Sequence, residues 1–235
     1  MRLNDRHSPN FDARNGGVDM LILHYTGMKN AEEALARLTV PESRVSAHYL
    51  IDEDGAVFRL VAEDKRAWHA GVSSWRGRGD INGASIGIEL VNPGHEWGYR
   101  PFPERQMNAL EELGRDILKR HKIPARHVLG HSDVAPGRKE DPGELFDWQR
   151  LAKAGIGLWP DFGARSPAPS GGVAELRRNL IAFGYACPEP DIPDDSFAET
   201  VHAFQLHFRP SHCDGAPDEE TQRRAAVLAH AVEAV

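Results

Sequence analysis

One short stretch, residues 127–143, combines a histidine, a lysine and an aspartate with turn-forming dipeptides. Pro136-Gly137 and Pro142-Gly143 favour a rigid loop, because proline fixes φ and glycine accepts turn conformations. Imidazole nitrogen and carboxylate oxygen both bind zinc, so His131 and Asp141 could supply two of the three protein ligands of a catalytic site. The third ligand must come from elsewhere in the chain. A polar surface turn is the alternative that this stretch leaves open.

A predicted strand places a second histidine where such a ligand is needed. Residues 18–26 form a nearly continuous apolar run, which is typical of a buried strand. His24 lies at its end, and open α/β sheets bind their ligands at the carboxyl ends of strands. Taken alone, His24 could equally be a hydrogen-bonded core residue.

Another predicted strand, residues 84–93, carries a carboxylate among apolar neighbours. If it is buried and ionised, Glu89 must be paired, lie near a metal or have a raised pKa. Because Ile88 and Leu90 flank it, Glu89 could also occupy the opposite, solvent-facing side of a sheet. The sequence leaves both positions open.

The surrounding elements alternate between strands and helices, which indicates an α/β fold. Asn30 is a candidate N-cap for a helix over residues 31–38, and Asp54-Gly55 marks the turn of a predicted hairpin. Apolar residues at helical spacing predict an amphipathic helix over residues 104–120 that covers the sheet.

Composition divides the chain into two parts. Residues 159–172 contain three prolines, three glycines and two serines, which indicates a linker. We therefore predict one domain over residues 1–158 and a small all-α domain over residues 173–235. Its helices are predicted at residues 173–184, 196–208 and 218–234.

The overall balance of residues excludes several classes of function. The chain has 235 residues, of which 40% are apolar and 27% charged, as in an ordinary globular protein. A net charge of −7 with dispersed basic residues argues against a nucleic-acid partner. No apolar run approaches the ~18 residues that a transmembrane segment needs. The sequence says nothing about oligomeric state.

The compartment is predicted from the N-terminus and the cysteines. The first residues lack a hydrophobic signal core, so we expect a cytoplasmic protein, or a periplasmic or envelope-associated one if a leader has been removed. Cys187 and Cys213 lie far along the chain from the histidines. We expect them to be reduced thiols rather than metal ligands.

Five segments occur in the order that is typical of one enzyme family. They are Ile-Leu-His24-Tyr-Thr, Arg44-Val-Ser-Ala-His48-Tyr-Leu-Ile, Ala-Trp68-His69-Ala-Gly, Ser-Ile-Gly-Ile-Glu89-Leu and Gly-His131-Ser-Asp-Val-Ala-Pro-Gly-Arg-Lys139-Glu-Asp141-Pro-Gly. Over residues 18–150 the chain resembles the type 2 zinc-dependent N-acetylmuramoyl-L-alanine amidases, and most of all the bacterial muropeptide and cell-wall members. The resemblance implies a mixed central β-sheet flanked by helices, as in the peptidoglycan-recognition folds.

The resemblance also implies a zinc amidohydrolase and assigns roles to five residues. His24, His131 and Asp141 would hold one Zn²⁺ per chain. Glu89 would be the general acid and base, and the ammonium of Lys139 would stabilise the oxyanion. The expected reaction is hydrolysis of the amide between the lactyl group of N-acetylmuramic acid and L-alanine of the stem peptide. The substrate would be peptidoglycan or soluble muropeptides, in wall turnover or recycling.

Three further residues are expected to bind the substrate. Arg44 would hold a peptide carboxylate, and Trp68 and His69 would form a wall of the site. Each has a structural alternative. Arg44 could brace the fold, Trp68 could belong to the core, and His69 could hydrogen-bond a metal ligand.

The C-terminal part is similar to the three-helix peptidoglycan-binding domain, which would raise the local concentration of the enzyme on polymeric wall. Two other functions remain open at this point. The chain could recognise peptidoglycan without cutting it, or it could be a zinc peptidase acting within the stem peptide. The joint presence of His24, His131, Asp141, Glu89 and Lys139 favours cleavage by an amidase.

Overall fold

The structure is a computed structural model that describes residues 2–163, 171–188 and 195–233. The strands are β1 (Leu3–Asp5), β2 (Phe11–Ala13), β3 (Met20–Tyr25), β4 (Tyr49–Ile51), β5 (Val57–Arg59), β6 (Lys65–Ala67), β7 (Ser85–Leu90) and β8 (Val128–Gly130). The helices are α1 (Ala31–Thr39), α2 (Ile81–Ala84), α3 (Gly94–Trp97), α4 (Glu104–His121), α5 (His131–Val134), α6 (Trp148–Lys153), α7 (Gly172–Phe183), α8 (Asp195–Phe208) and α9 (Glu219–Glu233).

A mixed six-stranded sheet forms the centre of the molecule, with the strand order β1-β5-β4-β7-β3-β8. Strands β4, β7, β3 and β8 run parallel to one another, and β1 runs parallel to β5. Strands β4 and β5 form the predicted antiparallel hairpin. Strands β2 and β6 pair in a separate antiparallel sheet. The mixed sheet with flanking helices confirms the predicted fold class.

Strand β3 brings the candidate site together. It pairs with β7 so that His24 lies beside Glu89, and with β8 so that Leu23 lies beside Gly130. His131 follows Gly130 directly. Because these three strands are parallel, their carboxyl ends meet at one edge of the sheet. Three residues that are far apart in sequence therefore reach the same place.

Helix α4 covers one face of the sheet, as predicted. Leu21 and Leu23 of β3 share a buried core with Met107, Leu110 and other residues of α4. Alternation along β3 directs Met20 and Ile22 to the opposite face. His24 has the same parity as Met20 and Ile22, so its imidazole lies on the face away from α4.

The C-terminal helices cover that second face. Met20 and Ile22 share one buried core with Leu176, Leu180 and Phe204 of α7 and α8. The three predicted helices are confirmed. They pack on one another, with α7 against α9, and they also share one buried core with the sheet. The division into two domains stays a prediction. Residues 164–170 of the predicted linker lie outside the described residues.

Several short elements carry no apolar pattern and were not predicted. Strands β1 and β2 lie within the polar residues 1–17, and the side chains of β2 are exposed. Helix α5 begins at His131, so this residue lies on a single helical turn and not on the loop expected from its Pro/Gly-rich surroundings. The capping of α1 agrees with expectation, since Asn30 accepts a hydrogen bond from the Glu33 backbone N–H at 2.9 Å.

Two negative expectations can be compared with the described ranges. Within them, every helix is too short or too polar to cross a bilayer. Cys187 and Cys213 are unpaired, as expected, and partly buried. Burial raises the pKa of both thiols to about 11.

Candidate metal centre

Three buried side chains converge at the carboxyl edge of the sheet. Nδ1 of His24 lies 3.0 Å from Nδ1 of His131 and 2.9 Å from Oδ2 of Asp141. Nδ1 of His131 lies 3.1 Å from the same carboxylate oxygen. In the part of the chain that the structure describes, these residues form a group that could hold a metal ion.

The backbone fixes the two ligands that follow β8. The Ser132 N–H, next to His131, donates a hydrogen bond to the carbonyl of Asp141 at 2.9 Å. A Cβ on Gly130 would lie 2.8 Å from Cδ of Pro142, so the two segments pack too closely for any larger residue there. Glycine at this position lets His131 and Asp141 approach each other.

A chain of hydrogen bonds fixes the tautomer of His24. The Ser85 hydroxyl donates to the carbonyl of Ile81 at 2.6 Å, so it accepts from Nε2 of His69 at 3.3 Å. Nδ1 of His69 then accepts from Nε2 of His24 at 3.0 Å. The proton of His24 is therefore on Nε2, and its Nδ1 lone pair faces His131 and Asp141.

Nε2 of His131 lies 3.0 Å from the Ala70 carbonyl, which can only accept, and 3.2 Å from Nη2 of Arg138, which can only donate. The shorter contact favours a proton on Nε2, and in that tautomer the Nδ1 lone pair faces His24 and Asp141. Two imidazole lone pairs and a carboxylate oxygen thus face one point. This donor set fits a divalent cation that keeps a further coordination position for water.

The protonation states agree with this fit. Burial, together with His131, lowers the pKa of His24 to about 4, so the imidazole is neutral at pH 7. Burial opposes ionisation of Asp141, but His131 and His24 outweigh it and hold the pKa of Asp141 well below its usual value. Metal ligands must be deprotonated, and both groups are.

Glu89 lies beside His24 on the adjacent strand and faces the same side of the sheet. Its Oε2 is buried and has no hydrogen-bond partner among the described residues. Burial, followed by the charge of Asp141, raises the pKa of Glu89 well above its usual value, and Lys139 opposes this. The side chain of Glu89 does lie on the face of the sheet opposite to that of Ile88. That face borders a cavity at Glu89 and not bulk solvent.

That cavity has a volume of about 460 Å³. Its walls come from α1, from the segments after β3, β6 and β8, and from β7. The side chains that line it include those of His24, Arg37, Trp68, His69, Glu89, His131, Arg138, Lys139 and Asp141.

Comparisons with known proteins agree with this arrangement. The sequence pattern of the N-acetylmuramoyl-L-alanine amidase family matches residues 14–144. The chain is 39% identical to N-acetylmuramoyl-L-alanine amidase AmiD of Escherichia coli over 230 residues, which cover 90% of this chain and 82% of AmiD. This chain belongs to the N-acetylmuramoyl-L-alanine amidase family.

Solved structures and a further relative are also similar to this amidase. The structure of E. coli AmiD with the substrate anhydro-N-acetylmuramic acid-L-Ala-D-gamma-Glu-L-Lys superposes with a TM-score of 0.82 at 37% identity, covering 94% of this chain and 92% of AmiD. AmpDH3 from Pseudomonas aeruginosa in complex with anhydromuramic pentapeptide gives 0.81 at 39% identity, covering 90% and 89%. The 1,6-anhydro-N-acetylmuramyl-L-alanine amidase AmpD of Haemophilus influenzae is 35% identical, covering 61% of this chain and 86% of AmpD.

The other predicted site residues of the amidase lie in different positions. Lys139 is exposed and Trp68 half-buried, and both line the cavity. His69 also lines it, but its Nδ1 is engaged by His24, which favours the alternative role of orienting a metal ligand. Arg44 is exposed at the end of a 3-10 turn, and it is not among the described residues that line the cavity, although Val45 is.

Two features of the amidase site were not predicted. Arg37, in the last turn of α1, lines the cavity, and nothing in its sequence context distinguishes it from other surface arginines. Gly87 makes room for His69, since a Cβ there would lie 2.5 Å from Cγ of His69. A glycine inside a strand indicates such a close approach, so Gly87 was recognisable from the sequence.

Proposed function

We propose that this chain is a zinc amidase that hydrolyses the amide bond between the lactyl group of N-acetylmuramic acid and L-alanine of the stem peptide. The observation that carries the proposal is the convergence of His24, His131 and Asp141 beside Glu89 in one cavity. The anhydromuramic peptides in the complexes of AmiD and AmpDH3 support the same substrate class.

Zinc is the metal that this donor set suits best, because two imidazoles and one carboxylate are the ligands of known catalytic zinc sites. When bound, zinc supplies Lewis acidity that polarises the scissile carbonyl and makes water nucleophilic near neutral pH. His69 holds His24 in the tautomer that metal binding requires, and the Ala70 carbonyl favours the same tautomer of His131.

Glu89 moves the proton during hydrolysis. As a carboxylate it accepts a proton from the water molecule whose oxygen attacks the amide carbon. As a carboxylic acid it returns that proton to the alanine nitrogen when the C–N bond breaks. The products are the lactyl carboxylic acid and a peptide with a free α-amino group. Poor solvation favours this role, because it raises the pKa of Glu89 and makes the carboxylic acid easier to form than in an exposed glutamate.

Lys139 stabilises the charge that develops on the carbonyl oxygen. Its ammonium group acts on the site electrostatically, since it lowers the pKa of both Glu89 and His24. Arg37 and Arg138 add two further cations to the cavity lining. A stem peptide carries carboxylates, so these cations attract it more strongly than they would attract a neutral peptide.

The experiment that tests the proposal uses the full chain loaded with zinc and a soluble anhydromuramyl peptide. Mass spectrometry of the digest is expected to show a free peptide that begins with L-alanine, together with the sugar carrying a free lactyl carboxylate. Cleavage within the stem peptide would instead identify a peptidase. Binding with no new amine would identify a recognition protein.

Two variants assign the roles of the residues in the same assay. His131→Ala is expected to lose zinc and activity together. Glu89→Gln is expected to retain zinc and lose turnover by a factor of about 10²–10⁴, the usual contribution of a general acid and base. Parallel digestion of purified sacculi shows whether polymeric wall is also a substrate.

A further inference from the structure

The C-terminal helices contact the segment that carries His131 through one buried aspartate. Asp133 is fully buried on α5, the same helical turn as His131. Its Oδ1 accepts a hydrogen bond from the Tyr185 hydroxyl, which follows α7. Its Oδ2 accepts from Nδ1 of His207, in α8, at 2.7 Å. Both donors therefore belong to the part of the chain that follows the amidase core.

Asp133 also determines how the chain enters α5. Its Oδ2 accepts a hydrogen bond from the Gly130 N–H at 2.7 Å, and Gly130 is the residue immediately before His131. The Asp133 carboxylate thus connects the backbone just before His131 to the C-terminal helical segment through hydrogen bonds. A shift of Asp133 would move Gly130, and with it the backbone from which His131 extends.

The two donors are themselves held firmly. The His207 ring stacks on Trp148 with a centroid distance of 3.7 Å and an angle of 18° between the planes. Tyr185 packs edge-on against Trp75 at 5.0 Å. Both side chains are 2% exposed. A buried carboxylate that lost either donor would be left with unsatisfied hydrogen-bonding capacity, which is costly.

From these contacts we infer that Tyr185 and His207 are positioning residues of the amidase, which hold His131 in place for metal binding by fixing Asp133. The helical segment is in this respect a structural part of the metal centre, whatever further contact it makes with peptidoglycan. The inference deepens the proposed function and rests on it. It assigns to two residues outside the matched amidase region an effect on the metal.

Variants of the full chain test this with metal binding as the readout. Tyr185→Phe removes one hydroxyl, and His207→Phe keeps an aromatic ring for Trp148 while removing the donor. We expect both to weaken zinc affinity on the order of 10-fold, the lower end of what outer-shell partners contribute. Zinc affinity is measured by competition with a chelating indicator. The kcat should fall with KM unchanged, because the ligand moves and the substrate wall does not.

Two further variants separate positioning from stability. His207→Gln retains an N–H donor and is expected to recover part of the zinc affinity. Tyr49→Phe removes a hydroxyl that donates a partly buried hydrogen bond to Glu63 at 2.7 Å, away from the cavity, and is expected to lower stability with unchanged zinc affinity.

If Tyr185→Phe and His207→Phe are less stable but bind zinc as tightly as the wild type, the inference is wrong. Asp133 would then stabilise the fold without affecting the metal site. If His207→Phe does not fold, Tyr185→Phe decides the question by itself. Failure of the wild-type chain to bind zinc would contradict the proposed function instead, so the two failures are distinguishable.

Discussion

Nε2 of His24 lies 3.0 Å from Nδ1 of His69, and this contact leaves Nδ1 of His24 free to face His131 and Asp141. His69 is buried, and burial lowers its pKa well below the usual value. It is therefore a neutral acceptor. His69, which was predicted from the sequence to bind the substrate, therefore orients the metal ligand His24.

Removal of this acceptor is expected to weaken metal binding. His69→Ala should lower zinc affinity about 10–100-fold, the range typical of outer-shell partners, because His24 loses the group that fixes its tautomer. Competition with a chelating indicator measures the effect. His7→Ala, which removes an exposed histidine, is the control and should bind zinc like the wild type. Equal affinity in both variants would return His69 to a role in substrate binding alone.

The packing of Gly87 gives a second prediction. In Gly87→Ala the new methyl would meet the His69 ring at 2.5 Å, so the imidazole must move. We expect a loss of about 1–3 kcal/mol in the free energy of unfolding, as for other overpacked sites, together with weaker zinc binding. Gly17→Ala is the matched control, because nothing lies within 4 Å of its Cβ. Urea denaturation and zinc competition measure the two effects, and normal zinc affinity in Gly87→Ala would contradict the account of His69.

Arg37 and Arg44 give opposite predictions for substrate binding. Arg37 lines the cavity and has no ion pair within the described part of the chain, so Arg37→Ala should raise KM on the order of 10-fold by removing a charged contact to a peptide carboxylate. Arg44→Ala should leave KM unchanged, because Arg44 is exposed outside the cavity lining. Steady-state kinetics with one anhydromuramyl peptide compares them. The reverse result would restore the assignment made from the sequence.

Glu63 makes stability depend on acid pH. Burial alone would raise its pKa, but hydrogen bonds from Arg120, His121 and Tyr49 outweigh it and lower the pKa to about 2 from an ordinary 4.5. A depressed pKa stabilises the fold above pH ~4.5, and this contribution is lost as the pH falls towards 2. We expect it to be about 1–2 kcal/mol after allowance for solvent screening.

Urea denaturation of wild type and Glu63→Gln at several pH values tests this. The variant should be less stable at pH 6, and the difference should shrink between pH 5 and pH 2. A difference that is constant with pH would show that Glu63 contributes through packing and not through its charge.

The sequence was sufficient for the parts of the fold that follow from periodic burial. Nearly continuous apolar runs predicted β3 and β7, and helical spacing predicted α4 and the C-terminal helices, because each of these elements buries apolar side chains. Exposed β2 has no such face, and the helical turn at His131 is too short for a periodic signal. Neither could be recovered from patterns of this kind.

The candidate site divides in the same way. His24, Glu89, His131 and Asp141 were predicted from residue type and order, and they lie at one edge of the sheet. The positions of Arg37 and Arg44 depend on how α1 and the turn after it sit against the cavity. Contacts across long sequence separations, such as that of Asp133 with His207, leave no local trace in the sequence.

The most direct test of the metal centre is an anomalous difference map, recorded at the zinc edge from crystals of the full chain grown with zinc. The account predicts one strong peak per chain, bounded by Nδ1 of His24, Nδ1 of His131 and Oδ2 of Asp141. A peak elsewhere with none at this position would contradict it.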